Sequence, residues 1–263
     1  MKGLRLRDQL HPTIADEGAG FREIKNEVDK DMNYQRLYQV WIYLLTFSAG
    51  VVNAIAFLEY SSVATHQTGN LTQLGLQIAN GDLSLIAFHG GLVVAYVTGA
   101  TIAGSVFPHQ QFRPLHRYGL FIALLSLFLL ANLVLLPQSL MVLILALIVG
   151  ALNGMFIFFR GSVVRTTHMM GVLTDLGQVI SRFIKGRDQV SLGHVIFLLI
   201  NIGMYLMGVA LGAKLNQQMN FNVLYGVVAF NLLIAAYYEA MYHLFPVEQD
   251  QLNQSSNYQD TFR

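Results

Sequence analysis

Thr65-His66-Gln67-Thr68-Gly69-Asn70-Leu71-Thr72-Gln73-Leu74-Gly75 and Thr167-His168-Met169-Met170-Gly171-Val172-Leu173-Thr174-Asp175-Leu176-Gly177 are two versions of one motif. Thr, His, Gly, Leu, Thr, Leu and Gly recur in the same order at the same spacing. Each copy follows an apolar run that holds one Asn, Asn53 in the first case and Asn153 in the second. Agreement at so many aligned places predicts an internal duplication.

The composition around the motifs is that of a membrane protein. Hydrophobic residues make up 54% of the 263 and charged residues only 12%, where soluble chains carry roughly 25% charged. No Lys or Arg lies between Arg36 and Arg113, and no charged residue at all between Arg117 and Arg160. Uncharged apolar runs of about 20 residues are membrane spans. The chain has no Cys, which excludes disulfides, thiolate metal ligands and Cys nucleophiles. Residues 1–36 mix both charge signs and hold no long apolar core, so they read as a polar tail rather than a cleaved signal peptide.

Six spans are predicted: Leu37–Leu58, Leu83–Phe107, Tyr118–Leu136, Leu140–Phe159, Val190–Gly212 and Phe221–Leu244. Trp41 and Tyr43 suit an interfacial aromatic belt. After each motif comes a segment too short to span, Asn70–Asn80 and Val172–Ile184, with apolar residues at helical spacing. These are expected to be interfacial or re-entrant helices. Tyr205, Gly208 and Gly212 repeat the spacing of Tyr96, Gly99 and Ala103, which extends the duplication. Small residues at such positions let membrane helices pack closely, either within one chain or between two copies.

The expected fold is all-α and integral to the membrane. Residues 37–136 and 137–245 each form a three-span repeat with one short helix, between polar tails 1–36 and 246–263. With the N-terminus in the cytoplasm, the tail positives, Arg113, Arg117, Arg160, Arg165, Arg182, Lys185 and Arg187 all fall inside, and only Lys214 outside. Positive residues favour the inside, so both termini are expected in the cytoplasm. Three spans per repeat invert the second copy relative to the first. Such inverted repeats are typical of transporters, whose sites lie at the repeat interface.

The candidate site residues follow from the motifs. His66 and His168 each stand between a Thr and a short helix, Thr65 and Thr167 respectively. They suit proton relay or substrate hydrogen bonding, or else a structural tie to a neighbouring helix. Thr68 or Asn70 is able to cap the first short helix, while Met170 and Val172 cannot cap the second. Asn53 and Asn153 need hydrogen bonds in an apolar span, across the repeat interface or to broken backbone. Arg165 and Asp175 flank the second motif without counterparts in the first, where Val63 and Gln73 stand. They suit an ion pair, a gate or an anion site, or a topology signal at the inner face. Glu59 and Asp82 flank the first motif, and His89 and His194 lie early in their spans, with packing or surface roles.

The leading function is a transporter or channel for a small polar or anionic solute, with its site between the two Thr-His motifs. The alternatives are a membrane-embedded enzyme, or a structural or regulatory membrane protein. Expected partners are the lipid bilayer, a small polar or anionic solute, protons and a second copy of the chain. Nothing points to a cofactor, a metal, a catalytic residue or nucleic acid. Two His without Cys or clustered carboxylates make a poor metal set.

Asn53, Thr65-His66-Gln67-Thr68-Gly69-Asn70 and Leu74-Gly75 resemble the YoaK-like family of bacterial multi-pass membrane proteins, a family of unknown function. So do Asn153, Arg165-Thr166-Thr167-His168, Gly171 and Thr174-Asp175-Leu176-Gly177. The resemblance implies about six spans and a bacterial inner (plasma) membrane.

Overall fold

The structure is a computed structural model that describes residues 14–60, 66–107, 117–155, 157–159, 162–185, 192–219 and 223–244. Its helices are α1 (Ile14–Tyr60), α2 (Gln67–Asn80), α3 (Leu83–Val106), α4 (Arg117–Leu135), α5 (Met141–Gly154), α6 (Met169–Ile184), α7 (Leu192–Met219) and α8 (Val223–Leu244). A 3-10 turn at Gln138–Leu140 leads into α5. Strands β1 (Ile157–Phe159) and β2 (Ser162–Val164) pair antiparallel, with Ile157 opposite Val164.

Five helical stretches are long and apolar enough to cross a membrane: Asn33–Tyr60, Leu83–Val106, Arg117–Leu135, Leu192–Gln218 and Val223–Leu244. The chain is a helical membrane protein. The fourth expected span, Leu140–Phe159, is not one helix. Helix stops at Gly154, Met155 turns extended at φ −67° and ψ 126°, and Ile157–Phe159 joins the hairpin. Asn153-Gly154 favours a helix end, and Ile-Phe-Phe against Ser-Val-Val favours strand pairing.

The helix directions follow from their contacts. Tyr43 meets Phe197, Thr46 meets Asn201, Asn53 meets Tyr205 and Glu59 meets Asn216, so α1 and α7 run parallel. Gly91 lies against Leu143, Tyr96 against Gly150 and Ala103 against Gly154, so α3 and α5 run parallel too. Trp41 meets Tyr238 and Ser48 meets Asn231, so α8 runs against α1. Tyr60 donates to the Gln138 carbonyl at the far end of α1, which places the turn leading into α5 there. Phe159 packs at a tilt against Tyr38 and Phe197 at the other end, where α1 enters the bundle.

Two cores hold the bundle. At the entry end, Trp41 sits among Tyr38, Tyr118 and Tyr238, with ring centroids 4.7–6.0 Å away. Trp41 is fully buried, so it is not the interfacial anchor its position in the sequence predicts. The ring packs between α1, α4 and α8 instead, and each aromatic pair adds about 0.5–1.5 kcal/mol beyond its buried area. The second core joins Val52 and Ile55 of α1 to Val142, Leu145 and Val149 of α5 and Leu224 and Val228 of α8. Outward-facing Leu83, Val134, Leu135, Leu206 and Leu233 are exposed, as lipid-facing residues are.

α1 begins at Ile14, inside the stretch 1–36 expected to be a polar tail, and runs on into the first span. The expected tail 246–263 and Arg113, Arg160 and Arg187 lie outside the described residues.

Candidate functional site

Glycine sets the two central crossings. A Cβ on Gly50 would strike the Tyr205 carbonyl, and one on Gly208 the Phe47 carbonyl. On the other crossing, a Cβ on Gly150 would strike the Tyr96 carbonyl, and one on Gly99 the Leu147 carbonyl. Backbone meets backbone at both places, which only Gly allows. Gly99 and Gly208 are therefore used inside the chain. Of the two uses the sequence left open to them, packing within one chain is the one seen here.

The asparagines sit one turn further along. Asn53 Nδ2 donates to Tyr205 Oη at 2.7 Å, and Asn153 Nδ2 donates to Tyr96 Oη at 3.1 Å. Each Asn thus reaches a Tyr on a helix from the other half of the chain. Asn153 also donates to Thr167 Oγ1 at 2.5 Å. That bond ties the second motif to the end of α5. Asn153 is buried, and its Oδ1 has no partner. An orphaned buried acceptor costs about 1–3 kcal/mol, so it marks a place where a further donor or ion would be stabilised.

The motif backbones match closely. His66 and His168 are the N-cap residues of α2 and α6, at φ −99°, ψ 71° and φ −95°, ψ 65°. Neither side chain makes a capping bond. The expected caps Thr68 and Asn70 lie inside α2 instead. A Cβ on Gly69 would lie 2.7 Å from His66 Nδ1, and one on Gly171 would lie 3.0 Å from His168 Nδ1. The repeated Gly makes room for an imidazole folded over the first helical turn. Both histidines are exposed. Gly75 and Gly177 have nothing within 4 Å, and the fold supplies no packing reason for their recurrence.

A cavity of about 20 Å³ lies between the halves, room for one water. Its polar lining is Ser48 of α1, Ser126 of α4, Asn231 of α8 and Thr167 of the second motif. Ser48 donates to Asn231 Oδ1 at 2.6 Å, and Ser126 to the Ile122 carbonyl at 2.8 Å. Thr167 and Asn153 are thus brought together beside this cavity, and Asn53 pairs separately with Tyr205. Thr65 lies outside the described residues. Arg165 is exposed at the turn into α6, where its carbonyl accepts from His168 N at 3.0 Å. Asp175 is half-buried on α6, and among the described residues no ion pair joins it to Arg165.

Asp82 caps α3, its Oδ1 accepting from Ser84 N and Leu85 N at 3.1 Å each. Glu59 accepts from Asn216 Nδ2 at 2.6 Å. His89 and His194 are half-buried in their spans. Sequence reasoning missed Ser48, Ser126 and Asn231. The available signal was a small polar residue inside each apolar run, but each run holds another polar residue as well.

A family model described as a protein of unknown function, DUF1275, matches residues 41–237. The match starts at the buried Trp41 and takes in both motifs, both asparagines and every residue lining the central cavity. No curated protein and no solved structure matches. The chain belongs to the DUF1275 family of proteins of unknown function.

Proposed function

We propose that the protein is a transporter for a small polar or anionic solute, built as two inverted three-span repeats. The fourth crossing is made of α5 plus the extended stretch to Phe159, which gives six. Three crossings per repeat turn the second copy over. The swapped contacts support this: α1 lies on α7 as α5 lies on α3, and Asn53–Tyr205 mirrors Asn153–Tyr96. Both termini lie in the cytoplasm, by the distribution of Lys and Arg. The YoaK-like resemblance agrees with the family and adds a bacterial inner membrane.

One observation carries the reading. A broken span holds its loop by a buried Asn–Thr bond, at mid-depth, beside a small and mostly apolar cavity that Ser48, Ser126, Thr167 and Asn231 reach from both halves. Transporters place their substrates at such discontinuities between repeats. At about 20 Å³ the cavity is closed to any solute. Transport then requires α5 and its hairpin to part from α1, α4 and α8. The Asn153–Thr167 tie and the absence of room for a solute favour one second reading, a structural or regulatory membrane protein.

Flux into proteoliposomes decides between them. Sugars, amino acids, carboxylates and inorganic anions would each be offered under an imposed gradient. At least one class should enter saturably, and Asn153→Ala should slow it about tenfold or more while the protein remains monodisperse. No flux of any class by well-folded parent protein overturns the transporter reading and selects the structural one.

A further inference from the structure

Arg165 is placed oddly for a membrane protein. Thr167, two residues on, bonds Asn153, which bonds Tyr96 in the middle of the apolar helix Leu83–Val106. Thr167 also lines the cavity beside Ser48, Ser126 and Asn231, each well inside its own span. Two residues of chain reach at most about 7 Å. Arg165 therefore leaves the backbone near mid-depth, and yet it is exposed. An arginine at that depth needs a partner or water.

α6 carries the same message outward. At about 3.6 residues per turn its side chains fall on three sides. Val172 and Val179 are buried on one side. Leu173, Ile180 and Ile184 are exposed on the next, as lipid contacts would be. Thr174, Gln178, Ser181, Arg182 and Lys185 share the third, and all are exposed. Asp175 borders this polar side, half-buried. A helix of 16 residues is about 24 Å long. From mid-depth that reaches beyond the hydrocarbon edge, about 15 Å away. A polar stripe over this whole path is not a lipid-facing surface.

We propose that the polar side of α6 lines a water-filled crevice, running from the Lys185 end to Arg165 and His168, that admits small anions. Arg165, Arg182 and Lys185 outweigh Asp175, so the crevice concentrates negative solutes. The first motif has no such path. Along α2 and into the start of α3 the corresponding positions are Thr72, Gln73, Leu76, Ala79, Asn80 and Leu83, none of them charged and three of them apolar. The crevice thus opens to one side only. It deepens the transporter reading by naming the solute class and its door.

The chain has no Cys, so single cysteines report cleanly. Thr174→Cys, Gln178→Cys and, as a lipid-side control, Leu173→Cys would be labelled in proteoliposomes with anionic and cationic thiosulfonate reagents. The polar-side cysteines should react about tenfold faster than the control. The anionic reagent should outpace the cationic one about fivefold. Arg165→Gln should bring that ratio toward one, and Arg165→Lys should keep it. If the polar-side cysteines react no faster than the control, there is no crevice. If charge makes no difference, or Arg165→Gln leaves the ratio unchanged, the anion assignment falls. Labelling needs no solute to cross, so a positive result beside absent flux sinks the transporter reading alone.

Discussion

The α1–α7 and α3–α5 crossings share one backbone plan and differ in their side chains. Both are built on a Gly from each helix and an Asn–Tyr bond. The α1–α7 crossing adds Thr46 to Asn201 at 2.9 Å and Glu59 to Asn216 at 2.6 Å. Where Thr46 and Asn201 stand, the α3–α5 crossing has buried Ala146 and Leu92. Beyond Asn53, α1 runs on to Tyr60, while α5 stops one residue past Asn153. The difference teaches that close backbone approach sets the architecture, and hydrogen bonds then tie one crossing more firmly. The looser one carries the broken span, the hairpin and the cavity-lining Thr167. Motion is therefore expected in α5 and its hairpin rather than in α1.

The largest effect should come from the shared feature. Gly50→Val, Gly208→Val, Gly99→Val and Gly150→Val each push a side chain into backbone, which cannot yield. Overpacking of this kind costs about 3 kcal/mol or more. Each variant should lose its monodisperse peak in size-exclusion chromatography. Gly75→Ala and Gly177→Ala fill open space and should keep it, gaining about 0.5–1 kcal/mol from helix propensity. Loss at Gly75 or Gly177 equal to that at Gly50 would break the packing account of the crossings.

The asparagine bonds come next. Each cycle, Asn53→Ala with Tyr205→Phe and Asn153→Ala with Tyr96→Phe, should show a coupling of about 0.6–2 kcal/mol in detergent unfolding. Alone, Asn153→Ala should cost more than its coupling to Tyr96, because it also frees Thr167. Zero coupling in either cycle would reduce that bond to a bystander of the glycine contact.

The sequence made the spans legible because uncharged runs of that length have no other home. It also made the motif pair and the Tyr-x-x-Gly register legible, because Asn53, Asn153, Tyr96 and Tyr205 are polar atoms that apolar spans must satisfy. The break after Asn153 was hidden. Ile157, Phe158 and Phe159 have the same hydropathy in a strand as in a lipid-facing helix, and hydropathy carries no direction. Trp41 misled for a similar reason. An indole near a span end suits the interface as well as an aromatic core, and only the arrival of Tyr118 and Tyr238 from distant helices decides. Ser48, Ser126 and Asn231 were invisible as a set, since each is ordinary until the helices meet.

The smallest effect tests the last of the extra links. Glu59 accepts a bond from Asn216 Nδ2, and Asn216 Oδ1 is buried without a partner. Glu59→Gln keeps an acceptor oxygen at that place and removes the charge. It should unfold within about 0.5 kcal/mol of the parent. Glu59→Leu removes the acceptor and leaves both ends of the Asn216 amide unsatisfied, at a cost of about 1–2 kcal/mol. That pattern would make the link one of geometry, and would put the firmness of the α1–α7 crossing in its hydrogen bonds. Equal losses in Gln and Leu would place it in the carboxylate charge. No loss in either would shift the firmness of that crossing to the Thr46–Asn201 bond.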